Sequence, residues 1–138
     1  MNVFKNIISN YQHFWYTYKH ILAFNQLQKT LGYRVLKPNY FHDWDKLILY
    51  ILCPFLNTRF ISKVHRHFSK HHLKYEFGKE KGNYKNLFKI NFEEAVIDWE
   101  CARFTKSDKQ LNAYNTMVKY YPEVRSFVYP ILRKFKLI

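Results

Sequence analysis

The sequence predicts an all-α protein, one compact domain of about six helices over residues 1–138. Three observations carry this reading. Apolar residues recur at three- and four-residue steps through several segments, the period of a helix with one buried face. The chain holds only 3 Gly and 4 Pro, so few positions interrupt helical backbone, and no repeat or low-complexity run divides it. An apolar fraction of 48% is ample for a core at this length, and 13 Phe with 12 Tyr supply the large side chains that pave it.

The first helix is predicted from Val3 to Leu31, through Phe4, Ile7, Ile8, Tyr11, Phe14, Tyr18, Ile21, Leu22 and Leu27, with Gly32 as its C-terminal cap. Pro38 marks a short connection. Asn39 is expected to cap a second helix running through Tyr40, His42, Asp43, Leu47 and Tyr50 toward Pro54, which places His42 and Asp43 in its first turns. Asn57 or Thr58 starts a third helix carrying Phe60, Ile61, Val64, Phe68 and a run of histidines. Phe77 to Lys89, with two of the three glycines and many lysines, reads as an extended loop beside that run, placed to act as a lid. Asn91 with Glu94 three residues on nearly matches a capping box for a fourth helix bearing Ala95, Val96, Asp98, Trp99 and Ala102. Ser107 or Asp108 starts a fifth helix, to about Tyr120. Pro122 opens a sixth, Glu123 and the basic Arg133, Lys134 and Lys136 suit its two ends, and Pro130 is expected to kink or break it.

Charge bounds the partners without choosing one. Lys and Arg number 23 against 10 Asp and Glu, a formal net charge of +13. Such a surface attracts phosphates and nucleic acid, but the basic residues are scattered rather than gathered in one arm, so a solvated surface and a functional basic face carry equal weight. Cys53 and Cys101 lack CxxC spacing and are read as reduced thiols of a cytoplasmic protein. The longest apolar stretch, Leu47 to Leu56, falls short of the about 20 residues that span a bilayer, so no membrane association is expected. P-loops, dinucleotide fingerprints, serine-hydrolase elbows and zinc ribbons lack even their minimal residues here.

What remains is histidine. Seven occur in the chain and five fall between His42 and His72. With Asp43 and Asp98 they suggest a metal centre, because imidazole and carboxylate are the groups with which a polypeptide holds a first-row divalent ion. His42 and Asp43, adjacent on one helix, diverge around its axis, so one ion is gripped only if other helices complete the set; His20 and Asp98 are suitable suppliers. Two imidazoles and two carboxylates suit manganese, iron, cobalt, nickel, magnesium or zinc with positions open for water and phosphate oxygens. Such an ion activates water and neutralises phosphoryl charge. Four further histidines, His65, His67, His71 and His72, cannot all face one ion from one helix. Helical spacing favours either His67 with His71, or His65 with His72 and His71, as an inward set that forms a second metal site or handles phosphate.

The segments His20 to Gly32, Phe41-His42-Asp43-Trp44-Asp45-Lys46, His65 to Tyr75 and Ala95-Val96-Ile97-Asp98-Trp99 resemble, in order and spacing, the family of small bacterial and viral proteins called the domain of unknown function 5662. That family is similar to the HD phosphohydrolases. The resemblance covers about the first three quarters of the chain and departs from the family pattern at Asp45, usually Ser, and at Glu76, usually aromatic. It implies an HD-like domain whose metal ligands are His20, His42, Asp43 and Asp98, with the histidine cluster as further ligands and Asp43 bridging a second ion if there is one. It also implies a catalytic role for Asp43 and for Lys46, the lysine of an HDxxK pattern, which reaches a substrate phosphate or braces Asp43. Arg66, Lys70 and Arg103 are weaker candidates for substrate phosphates.

The leading expectation is therefore a metal-dependent phosphohydrolase of HD type acting on a nucleotide or other phosphorylated small molecule, cytoplasmic in a bacterial or infected host cell. A basic nucleic-acid-binding protein or metal nuclease is one alternative. A non-catalytic scaffold that binds a partner or sequesters a phosphorylated ligand is the other.

Overall fold

The computed structural model describes residues 2–73, 89–105 and 111–138, and within them the fold is all-α. Helix α1 runs Val3–Leu31, as its periodicity requires. Asn2 caps its start by accepting from Lys5 N–H, and Gly32 closes it with φ 55°, a left-handed backbone that glycine adopts without a Cβ clash. Around this axis lie α2 (Trp44–Leu52), α3 (Thr58–Phe68), α4 (Phe92–Thr105), α5 (Ala113–Tyr120) and α6 (Arg125–Lys134). No helix among the described residues is long and apolar enough to cross a membrane.

Two halves of α1 meet different partners. Its C-terminal half packs on α4 and adds Phe24 and Leu31 to one apolar core shared with α5 and α6, built also from Val96, Ile97, Met117, Leu132 and Phe135 among others. Its N-terminal half holds the α2–α3 unit with hydrogen bonds among its contacts: Asn10 Nδ2 donates to the carbonyls of Pro54 and Leu56, both at 2.7 Å, and Thr58 Oγ1 donates to Asn10 Oδ1 at 2.6 Å. His20 lies where the halves meet. The histidine-rich layer is the seam between the apolar core and the α2–α3 unit.

Several local expectations change. Asn39 does not cap α2; its Oδ1 accepts from Phe41 N–H two residues on, and α2 starts only at Trp44. Side chains of neighbouring helices hold the connection open in place of helix: Glu93 Oε2 accepts from Leu36 and Lys37 N–H at 2.9 and 3.0 Å, and Gln28 Oε1 accepts from Asn39 N–H at 2.9 Å. His42 and Asp43 therefore lie in the turn before α2. The third helix ends at Phe68, so His71 and His72 follow a bend rather than continue its faces. Asn57 does cap it, accepting from Arg59 N–H.

Asn91 behaves as expected at α4, accepting from Glu94 N–H at 3.2 Å. The described start of α5 is Ala113, with Asn112 accepting from Asn115 N–H; Ser107 and Asp108 lie outside the described residues, as does the loop expected over Phe77 to Lys89 apart from Lys89. Pro122 opens a 3-10 turn that leads into α6. α6 continues through Pro130, so that residue does not break the helix. Val128 and Leu132, both buried in the core, anchor α6 on either side of it.

Candidate metal centre

Each imidazole reaches the seam from a different element. His20 comes from mid-α1, His42 from the turn before α2, His65 from the last turn of α3, His71 and His72 from the bend after it, and Asp98 from α4. Asp43 stands among them. Its backbone is left-handed, φ 59° and ψ 9°, a conformation that Asp tolerates better than most side chains. This corrects the divergence expected of neighbours on a helix: in the turn, His42 and Asp43 face one pocket, with Nε2 and Oδ1 3.6 Å apart.

Two sets of ligand-type atoms result. In the first, His20 Nε2 lies 3.2 Å from His42 Nε2 and 2.7 Å from Asp98 Oδ1, which is 3.4 Å from His42 Nε2. In the second, His65 Nε2 lies 3.1 Å from His72 Nε2 and 3.1 Å from Asp43 Oδ1, which is 3.4 Å from His71 Nε2. Ligand atoms about 2.1 Å from a shared ion stand about 3.0 Å apart in an octahedron and about 3.4 Å apart in a tetrahedron. His20 Nε2 and Asp98 Oδ1, 2.7 Å apart, stand at hydrogen-bond distance, while the other separations match those edges. His20, His42 and Asp98, and separately Asp43, His65, His71 and His72, are groups able to hold a metal ion.

Asp43 joins the sets. Its Oδ2 lies 4.0 Å from His20 Nε2 and takes a hydrogen bond from Lys46 Nζ at 3.2 Å. Its Oδ1 is buried, and no well-aligned hydrogen bond reaches it although three imidazole nitrogens lie within 3.6 Å. A buried carboxylate oxygen without an aligned donor is costly unless something else satisfies it. A cation between it and the imidazoles does so, and the donor set suits one.

A further trio, His42, His71 and Glu94, is also close enough to hold an ion. Orientation argues for a supporting role. His42 and His71 both turn Nδ1 toward Glu94 Oε1, at 3.0 and 2.9 Å, and turn Nε2 toward Asp43. An imidazole that donates Nδ1–H to a carboxylate keeps Nε2 free as a ligand, the usual support of a metal-bound histidine. Glu94 is itself held by Asn39 Nδ2 at 2.8 Å and Asn91 Nδ2 at 3.3 Å. Asp45 treats His65 the same way, Oδ2 to Nδ1 at 2.6 Å.

The electrostatics follow from packing acids and imidazoles together. Burial alone would raise Asp43, but His42 and Lys46 beside it hold its carboxyl well below the usual range. Asp98 behaves likewise, burial being outweighed by hydrogen bonds from His20 and His42. Burial depresses His71, yet Asp43 and Glu94 carry it up to about 10, while His72, buried beside charged His71, is pushed down to about 2. Phe24 stacks on the His42 ring at 3.8 Å and 9°, fixing its plane.

Not every candidate reaches the seam. His67 is exposed against Phe68, so of the two inward sets expected, the one with His65, His71 and His72 is the one that faces the site. Lys70 is exposed on the bend. Arg103 pairs with Glu100 at 2.8 Å on α4. Arg66 is exposed on α3 but lines a cleft of about 380 Å³ together with His72, Asp98, Trp99, Thr116 and Tyr121. Trp99 and Tyr121 stack in its wall, centroids 5.1 Å apart.

Glu94 was legible in sequence only as a capping residue. Its place four residues before Asp98, on the same helical face, was the available signal. Phe24 carried no signal beyond its apolar period.

No family model, curated protein or solved structure matches this chain.

Proposed function

We propose that this protein is a metal-dependent phosphohydrolase with a dinuclear centre, acting on a nucleotide or other phosphorylated small molecule. One observation carries the reading: the buried Asp43 carboxylate lies between two imidazole-rich ligand sets, with one oxygen among three ring nitrogens and no aligned hydrogen bond. Divalent ions bound there lower the pKa of water and neutralise charge on a phosphoryl group. His20, His42 and Asp98 hold one position; His65, His71 and His72 hold the other. Lys46 braces Asp43. Arg66, at the wall of the adjoining cleft, gives a substrate phosphate a cationic partner, and the Trp99–Tyr121 stack offers an aromatic wall for a base. The reaction type rests on the chemistry of the site.

The test is metal analysis of untagged protein with hydrolysis of a phosphoester panel, nucleotides included, in the presence of manganese, cobalt, nickel, iron, magnesium or zinc. The expected result is about two ions per chain and turnover in the unaltered chain, with turnover abolished and the metal content lowered to one ion or none in Asp43→Asn. Absence of metal binding in the unaltered chain sinks the proposal. A polynucleotide substrate is the second reading, favoured by the +13 charge and by Arg66 at the cleft. It predicts binding to DNA or RNA that weakens steeply with salt.

A further inference from the structure

The outer face of α1 carries an apolar stripe that stays exposed among the described residues. Phe4, Ile8, Tyr11, Trp15, Tyr18 and Leu22 follow one another at steps of four, three, four, three and four, the spacing of a coiled-coil seam. All six are exposed, by 40 to 77%. At about 100° per residue they point away from the side of α1 that buries Thr17, His20, Phe24, Gln28 and Leu31. Taking the ~150–250 Å² of an aromatic side chain as the scale, the stripe presents roughly 700 Å². A monomer rarely exposes more than a few hundred Å² of contiguous apolar surface, and a stable interface uses about 800 Å² per partner.

We infer that a second copy of this chain docks on the stripe, with the two α1 helices antiparallel about a two-fold axis. The spacing is its own complement when reversed. Turning a copy end over end sets Phe4 opposite Leu22, Ile8 opposite Tyr18 and Tyr11 opposite Trp15, so one axis satisfies every rung, as an isologous interface requires. The antiparallel register pairs aromatic with aliphatic side chains in its outer rungs, whereas a parallel one sets Phe4, Tyr11, Trp15 and Tyr18 each against itself. Beside the stripe, a groove of about 280 Å³ lined by Ile7, Phe14 and Ile51 among others gives the partner's side chains somewhere to insert. The seam holds by apolar burial alone, since α1 contains Lys5, Lys19 and Lys29 and no acidic residue.

Charge separates this occupant from others. Two chains of +13 each repel, and salt screens that repulsion, so self-association tightens as ionic strength rises. An acidic protein or anionic lipid surface on the same stripe binds more weakly as salt rises.

Sedimentation over a concentration and salt series tests the proposal. The expected species has twice the 17.1 kDa mass of the chain and gains at high salt. Tyr11→Glu with Trp15→Glu raises the dissociation constant by more than about 100-fold and leaves the circular dichroism unchanged, because both residues lie outside the core. In a Cys53→Ser background, mixing Tyr11→Cys with Trp15→Cys chains yields the 11-to-15 cross-link in excess over either self cross-link. The inference is overturned by a chain that stays at 17.1 kDa throughout, by a dimer that the double variant leaves intact, by an excess of self cross-links, or by monomers that bind anionic vesicles at low salt and release them at high salt.

Discussion

Glu94 Oε1 lies 3.0 Å from His42 Nδ1, on the side of the imidazole that faces away from Asp43 and Asp98. The same oxygen holds His71 Nδ1 at 2.9 Å, so one carboxylate orients a candidate ligand of each set. Glu94→Gln keeps the shape and removes the charge that fixes both tautomers. Its expected effect is a loss of metal affinity of about 10–100-fold with the helical content preserved, as for other outer partners of metal-bound histidines. Manganese titration calorimetry on the variant checks it; an unchanged affinity would show that Glu94 serves only the cap of α4.

Altering the carboxylate between the two ligand sets differs in kind from altering its support. Asp43→Asn is expected to lower the metal content from about two ions per chain to one or none. His67→Ala, on an exposed side chain, leaves the content unaltered. Elemental analysis of the two purified variants decides, and equal losses in both would show the metal to be held by the histidine run at large.

Metal should tie the α2–α3 unit to the rest of the molecule, because the ligand sets draw on both sides of the seam. A ligand present at about 100 times its dissociation constant adds about 2.7 kcal/mol to stability. The melting temperature of chelator-treated protein is expected to rise on adding manganese or zinc, with the amides of α2 and α3 gaining the most protection in hydrogen exchange. Protection confined to α5 and α6 would contradict the arrangement.

Acid and base should both weaken the metal-free chain. His72 is held near 2 against an ordinary 6.5, so unfolding takes up a proton below pH 6.5 and stability declines as the pH falls from there. Glu94, which burial would raise but His42 and His71 hold at about 2, contributes stability present above pH 4.5 and lost as the pH falls toward 2. His71 acts in the opposite sense: raised to about 10, its contribution is complete below pH 6.5 and is lost as the pH rises toward 10. Stability of the metal-free protein should peak near pH 6.5. Denaturant midpoints from pH 4 to pH 9 test this, and a flat profile would refute the assigned charges.

Phe24 links the apolar core to the site. It is fully buried and stacks on His42, so Phe24→Ala opens a cavity beneath a ligand and is expected to cost about 3–5 kcal/mol. Chemical denaturation measures that loss. Metal affinity should fall with it, and a normal affinity in a destabilised Phe24→Ala chain would separate packing from ligand orientation.

Much of this molecule is local in origin. The three- and four-residue apolar period marked α1 over Val3–Leu31, Asn91 announced its cap, Asn57 was one of two candidates for its own, and the scarcity of Gly and Pro left helical backbone uninterrupted, because backbone preference and side-chain period act over a few neighbours. His20, His42, Asp43 and Asp98 could be singled out by residue type and order. Their assembly could not. The start of α2 depends on Gln28 and Glu93 capturing the backbone of residues 36–39 from other helices, and that capture lets His42 and Asp43 face one pocket. The bend after Phe68 turns His71 and His72 inward and leaves His67 outside. Glu94 became a partner of two imidazoles only when α4 closed over the seam. The sequence by itself determined which helices form and which side chains were available as ligands; tertiary structure alone decided which of them converge, because hydrogen bonds between residues far apart in the chain set the turns that aim them.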